Sequence, residues 1–101
     1  MKNFYHVTRL CFLDNILTRG LIPQIGDLSK KANETVKRIY LFDSKDALEN
    51  AMLNWLGEEF EDEDVCYLEI NLPNNFPIKR DGFECFSLAV IPPKYIKRIN
   101  K

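Results

Sequence analysis

The segment Val65 to Leu72 constrains the fold more than any other part of this chain. Its residues alternate strictly, with Cys66, Leu68, Ile70 and Leu72 on one side and Tyr67, Glu69 and Asn71 on the other. A period of two marks a β-strand, because successive side chains leave the pleated backbone on opposite faces. An unbroken apolar face of this kind must lie on a core, and one strand cannot bury it alone. Other elements must pair with this strand and cover it.

The rest of the sequence supplies them. Asn3 to Val7 reads as a first strand. Phe12, Leu13, Ile16 and Leu17 recur at helical spacing. This helix is expected to begin at Thr8 or Arg9, with the Thr8 hydroxyl as N-cap, and to end at Gly20, with Pro23 preventing its resumption. Residues 23–37 are polar and read as a loop whose length suggests function. Arg38 to Phe42 reads as a buried strand. Ser44 then offers an N-cap and Asp46 complements the helix dipole. Ala47, Leu48, Ala51, Met52, Trp55 and Leu56 form a second apolar stripe, which Gly57 ends. After Val65–Leu72, the Pro73-Asn74-Asn75 turn precedes a short strand expected at Phe76–Ile78. Asp81-Gly82 is a further turn, Phe83 to Val90 is strand-like, and Pro92-Pro93 closes it. Tyr95, Ile96 and Ile99 suggest a last short strand or turn. The order predicts an α+β fold with mixed, mostly antiparallel sheets and two main helices.

A chain of 101 residues suits one domain, here 1–101, and 46% apolar residues suffice for its core. Lysine and arginine total 14 and aspartate and glutamate 15, so no broad attraction to nucleic acid is expected. Charge is uneven: acids surround Phe60, and bases gather at Lys79-Arg80 and near the C-terminus. Both read as solvated surface. The three cysteines Cys11, Cys66 and Cys85 lack the number and spacing of a disulfide framework or a zinc site, and read as buried free thiols. No signal-peptide or membrane-span pattern appears, which points to a cytoplasmic protein. Neither a G-x-G-x-x-G nor a Walker pattern occurs.

Four residues carry chemical interest. His6 is the one histidine and lies in the first strand with Phe4 on its face. It reads as a structurally hydrogen-bonded ring or as a ligand-binding one. Glu84 heads a face it shares with Phe86, Leu88 and Val90. An acid there is costly to bury unpaired, so it is either a strand-end group reaching solvent or a cleft group with a task. Glu69 has a weaker case beside Tyr67 and Asn71, and Tyr40 alone is a strand aromatic.

Together these residues resemble a known family. Tyr5-His6-Val7-Thr8-Arg9, followed by Ile16-Leu17 and Gly20-Leu21, resembles the opening of ADP-ribosyltransferases of the diphtheria-toxin and poly(ADP-ribose) polymerase type, and of bacterial DNA-modifying toxins of that group. Arg38-Ile39-Tyr40-Leu41-Phe42 with Ser44-Lys45 resembles the second motif. Phe83-Glu84-Cys85-Phe86, running into Ile91-Pro92-Pro93-Lys94-Tyr95-Ile96, resembles the third. The likeness spans nearly the whole chain as order and spacing.

The resemblance implies a small ADP-ribosyltransferase-like fold around an NAD cleft, and transfer of ADP-ribose with release of nicotinamide, or NAD hydrolysis. It implies catalytic roles for His6, Tyr40 and Glu84. His6 would bond a ribose hydroxyl, the Val7 main chain and the Ser44 hydroxyl the carboxamide, and Glu84 the 2′-hydroxyl of the nicotinamide ribose. Tyr40 would stack on the nicotinamide ring. Thr8 and Arg9 complete the cofactor-binding stretch. NAD is the substrate, no metal is implied, and the acceptor is a protein or a nucleic acid. A toxin-like protein of this kind also implies a partner or antitoxin protein, and no membrane. Val7 departs from the glycine of many members. Two alternatives stand beside this one: a non-catalytic nucleotide- or partner-binding module on the same fold, and an RNA 2′-phosphotransferase-like enzyme.

Overall fold

The alternating segment is the middle strand of a three-stranded sheet in the computed structural model, which describes residues 1–23, 37–54, 56–60, 64–82 and 84–99. In chain order the elements are β1 (Lys2–Arg9), α1 (Leu13–Arg19), β2 (Ile39–Leu41), α2 (Lys45–Asn54), β3 (Val65–Leu72), β4 (Lys79–Asp81), β5 (Glu84–Ser87) and β6 (Ile96–Ile99). Short 3₁₀ turns occupy Leu10–Phe12, Gly57–Phe60 and Pro93–Tyr95. The fold is α+β, with two antiparallel three-stranded sheets ordered β1-β3-β6 and β2-β5-β4. Among the described residues no helix is long and apolar enough to cross a membrane.

Both faces of β3 are used. Cys66, Leu68, Ile70 and Leu72 enter a large core with Phe4, Leu13, Ile16, Ile39, Leu41, Cys85 and Ile91. Val65 and Tyr67, on the other face, meet Val7 and Leu48 in a second core under α2. β3 is the middle strand by pairing, with β1 on one edge and β6 on the other, and the eight-residue pairing of β1 with β3 is the longest ladder.

Among the described residues one backbone bridge joins the two sheets. Tyr5 and Phe42 exchange main-chain hydrogen bonds of 2.8 Å each, which joins β1 to β2 at a single antiparallel pair. A bidentate pair from Arg80 to Asp43, at 2.7 and 3.0 Å, ties the edge strand β4 to the turn before α2. The Arg80 guanidinium holds the Asp43 carboxyl below its usual range. Both side chains are more than half exposed, so the pair contributes at most about 1 kcal/mol.

Several sequence expectations need correction. Thr8 does not cap a helix. It is buried inside β1, which runs on to Arg9, and α1 starts four residues later with Phe12 at its N-cap position and no side-chain cap. Leu13 and Ile16 face the core as expected, but Phe12 and Leu17 are nearly half exposed. The strand expected at Phe76–Ile78 lies at Lys79–Asp81, and Phe76 and Ile78 pack on the core from irregular backbone. The strand expected to reach Val90 stops at Ser87. There the Ser87 hydroxyl donates to the Ala89 carbonyl and accepts the Ala89 N–H, turning the chain. Cys66 and Cys85 are buried, whereas Cys11 is exposed. The Ser44 cap is present: its Oγ accepts the Ala47 N–H at 3.0 Å. The polar loop falls largely on residues 24–36, outside the described residues, as does Trp55.

Gly20 ends α1 with φ 88° and ψ −178°, a backbone region that only glycine occupies without strain. It also lies where a Cβ would collide with the Ile91 carbonyl oxygen, because Leu21 and Ile91 form a bridge beside it. Gly20→Ala should therefore destabilise the protein by at least about 2 kcal/mol, combining backbone strain with the collision. Urea denaturation with an unchanged slope checks this, and a loss under about 0.5 kcal/mol would show that the backbone relaxes.

Candidate functional site

Beyond the Tyr5–Phe42 bridge, β1 and β2 do not continue as a ladder. In an antiparallel pair, mutually bonded residues recur every second position, so Val7 and Tyr40 would be the next pair. Instead the Tyr40 carbonyl lies 2.7 Å from His6 Nδ1. A carbonyl oxygen only accepts, so Nδ1 carries the proton and donates it. In the neutral ring Nε2 then holds a lone pair. Burial pushes the His6 pKa down, partly countered by this bond.

The same parity orients Val7. Tyr5 turns its N–H and C=O toward β2, so Val7 turns its own to that side as well, away from β3. The Val7 side chain packs into the second core. A valine fits here because its side chain has a place to go that leaves the main chain facing the parted strands.

Tyr40 and Glu84 come together on the second sheet. Tyr40 pairs across the ladder with Phe86, their rings edge-to-face at 6.1 Å. Glu84 lies two residues before Phe86 and shares its face. Arg38, two residues before Tyr40, lies with its guanidinium 4.3 Å from the Phe86 ring centre. Its Nη1 is 3.5 Å from the Tyr40 hydroxyl and 3.5 Å from Glu84 Oε2. The Glu84 side chain is 53% exposed and that of Arg38 17%. A pair this long and this open adds about 0–1 kcal/mol to stability.

Of the seven residues singled out from the sequence, Tyr40 and Glu84 form one group, and His6 joins it through the Tyr40 main chain. Ser44 stands at the start of α2, two residues beyond the bridging Phe42. Thr8 and Arg9 lie apart. Thr8 is buried on the His6 face of β1, and Arg9 lies over Phe60 at 5.2 Å. Arg9 also lines a separate open hollow of about 420 Å³ with Leu10, Cys11 and Asp64. Sequence reasoning gave Arg38 no role. The available signal was its parity with Tyr40, which placed a cation on a half-exposed strand face among aromatic residues.

Comparisons with protein-family models, with curated proteins and with solved structures gave no match.

The His6 geometry generates a pH prediction. The unfolded ring titrates near its usual value of about 6.5, and the folded ring below that. Between the two values the unfolded chain holds the extra proton, so stability rises with pH through this window and is fully present above about 6.5. The Asp43 contribution is lost only in the more acidic carboxylate range. With one histidine in the chain, an NMR titration of the imidazole reads the value directly. A midpoint at or above about 6.5 would contradict the dominance of burial over the Tyr40 bond, which by itself raises the value.

Proposed function

We propose that this chain is an NAD-dependent ADP-ribosyltransferase, which moves ADP-ribose to a protein or nucleic-acid acceptor and hydrolyses NAD when water takes the acceptor's place. The observation that carries this reading is the parting of β1 and β2 at Val7. The main-chain donor and acceptor of one residue face the opening, matching the carbonyl and amino groups of a carboxamide.

The surrounding groups suit the remaining parts of NAD. The Nε2 lone pair of His6 would accept a hydrogen bond from a ribose hydroxyl. The Tyr40 ring offers a flat face for nicotinamide. Ser44 Oγ already accepts the Ala47 N–H, which leaves its own O–H to donate to the carboxamide oxygen. Glu84 would accept from the 2′-hydroxyl.

In the reaction the bond between the nicotinamide nitrogen and ribose C1′ breaks, and its electron pair leaves with neutral nicotinamide. No strong general acid is required. Positive charge develops on the ribose as an oxocarbenium ion, which the acceptor then attacks. A carboxylate aimed at that charge stabilises the transition state more than the ground state. In this reading the Glu84 carboxylate does this. This chemistry does not call for a metal ion.

NAD at 100 times its dissociation constant should stabilise the fold by about 2.7 kcal/mol, read as a rise in melting temperature. Glu84→Gln keeps size and hydrogen bonding but not charge. It should fold, retain the NAD-induced rise, and release nicotinamide about 10²–10³-fold more slowly. Equal rates would remove Glu84 as the catalytic carboxylate. No release by either protein across protein and nucleic-acid acceptors, with the melting shift intact, would favour a non-catalytic NAD-binding module.

A further inference from the structure

Arg38 connects Tyr40, Phe86 and Glu84. It directly precedes β2, two residues before Tyr40, yet its guanidinium reaches across Phe86 to Glu84 on the neighbouring strand. One nitrogen, Nη1, lies 3.5 Å from both the Tyr40 hydroxyl and Glu84 Oε2. The guanidinium lies over the Phe86 ring at 4.3 Å, a site where a planar five-donor fork and a lysine ammonium are not equivalent. Glu84 opens its strand with an exposed side chain. Without a tether, such a carboxylate samples several rotamers.

We propose that Arg38 is a positioning residue for this site, holding one oxygen of Glu84 so that the other is aimed at the substrate ribose, and setting the Tyr40 ring in the same motion. The inference rests on the transferase reading. It carries a conflict that makes it testable. A guanidinium beside the carboxylate neutralises part of the negative field that the oxocarbenium ion needs. Removing Arg38 therefore frees charge but loses orientation, and the two effects move the rate in opposite directions. Orientation should win. The carboxylate faces solvent, which already screens the guanidinium's field, whereas misplacing a reacting group by about 1 Å costs up to about a hundredfold in rate.

Arg38→Met keeps a long side chain over Phe86 and removes the fork. Its kcat for nicotinamide release from NAD should fall by about ten- to a hundredfold, with KM for NAD unchanged. Arg38→Lys keeps the charge without the planar fork and should recover only part of the rate. A purely structural role would lower the melting temperature of Arg38→Met and leave kcat of the folded protein alone. An equal or higher kcat in Arg38→Met overturns the proposal, and so does full rescue by lysine.

A second readout needs no turnover. The side-chain couplings of Glu84, measured by NMR, should report one dominant rotamer in the wild type and averaging in Arg38→Met. Equal averaging in both also overturns the proposal. Absence of nicotinamide release from the wild type would instead refute the transferase reading, and with it the role of Arg38 in that reaction. The rotamer measurement separates the two failures.

Discussion

One hydrogen bond decides how the two sheets meet. The Tyr40 carbonyl accepts from the His6 ring, where a continuous ladder would give it the Val7 amide. A neutral bond of this kind adds only about 0.5–1.5 kcal/mol net. Its larger effect is geometric. It satisfies a carbonyl at the point where β1 and β2 part, so the opening does not leave a half-buried acceptor unmet. The strands stay joined at Tyr5 and Phe42 and separate directly beyond.

The two cores hold that junction from either side. The first packs Phe4 of β1 against Ile39 and Leu41 of β2, so the strands share a buried floor even where their backbones are apart. The second places Val7 and Phe42 together with Leu48 of α2. The polar groups therefore occupy the face of β2 and β5 left over by the first core: Arg38 and Tyr40 beside Glu84, with Phe86 between them. Tyr40, Glu84 and Phe86 stand on strands and Arg38 directly before β2, and a site built on strands holds its geometry better than one on loops.

Much of the fold was legible because period-two and helical patterns report burial directly. The alternation of Val65–Leu72 marked a strand with one face on a core, though not the burial of Val65 and Tyr67 on the other, and Ser44 and Gly20 marked helix ends through their local chemistry. The errors fall where tertiary pairing overrides local preference. Thr8 looked like a cap but is held in β1 by its pairing with Cys66. The apolar run after Ser87 looked like strand, but a hydroxyl bonding two residues onward ended it. Phe76 and Ile78 looked like strand residues and serve the core from irregular backbone. At the site, the sequence marked His6, Tyr40 and Glu84 as chemically unusual. The tether between the last two was not visible, since Arg38 and Glu84 meet only after β2 and β5 pair. Nor was the parted ladder, which depends on a side chain replacing a backbone donor.

NMR shift mapping with NAD tests the central claim that this parted junction is a dinucleotide site. Saturable shifts should appear at the Val7 amide, the His6 ring and the Tyr40 and Glu84 resonances together. Shifts confined to the Arg9–Asp64 hollow, or none at millimolar NAD in a folded sample, would contradict it.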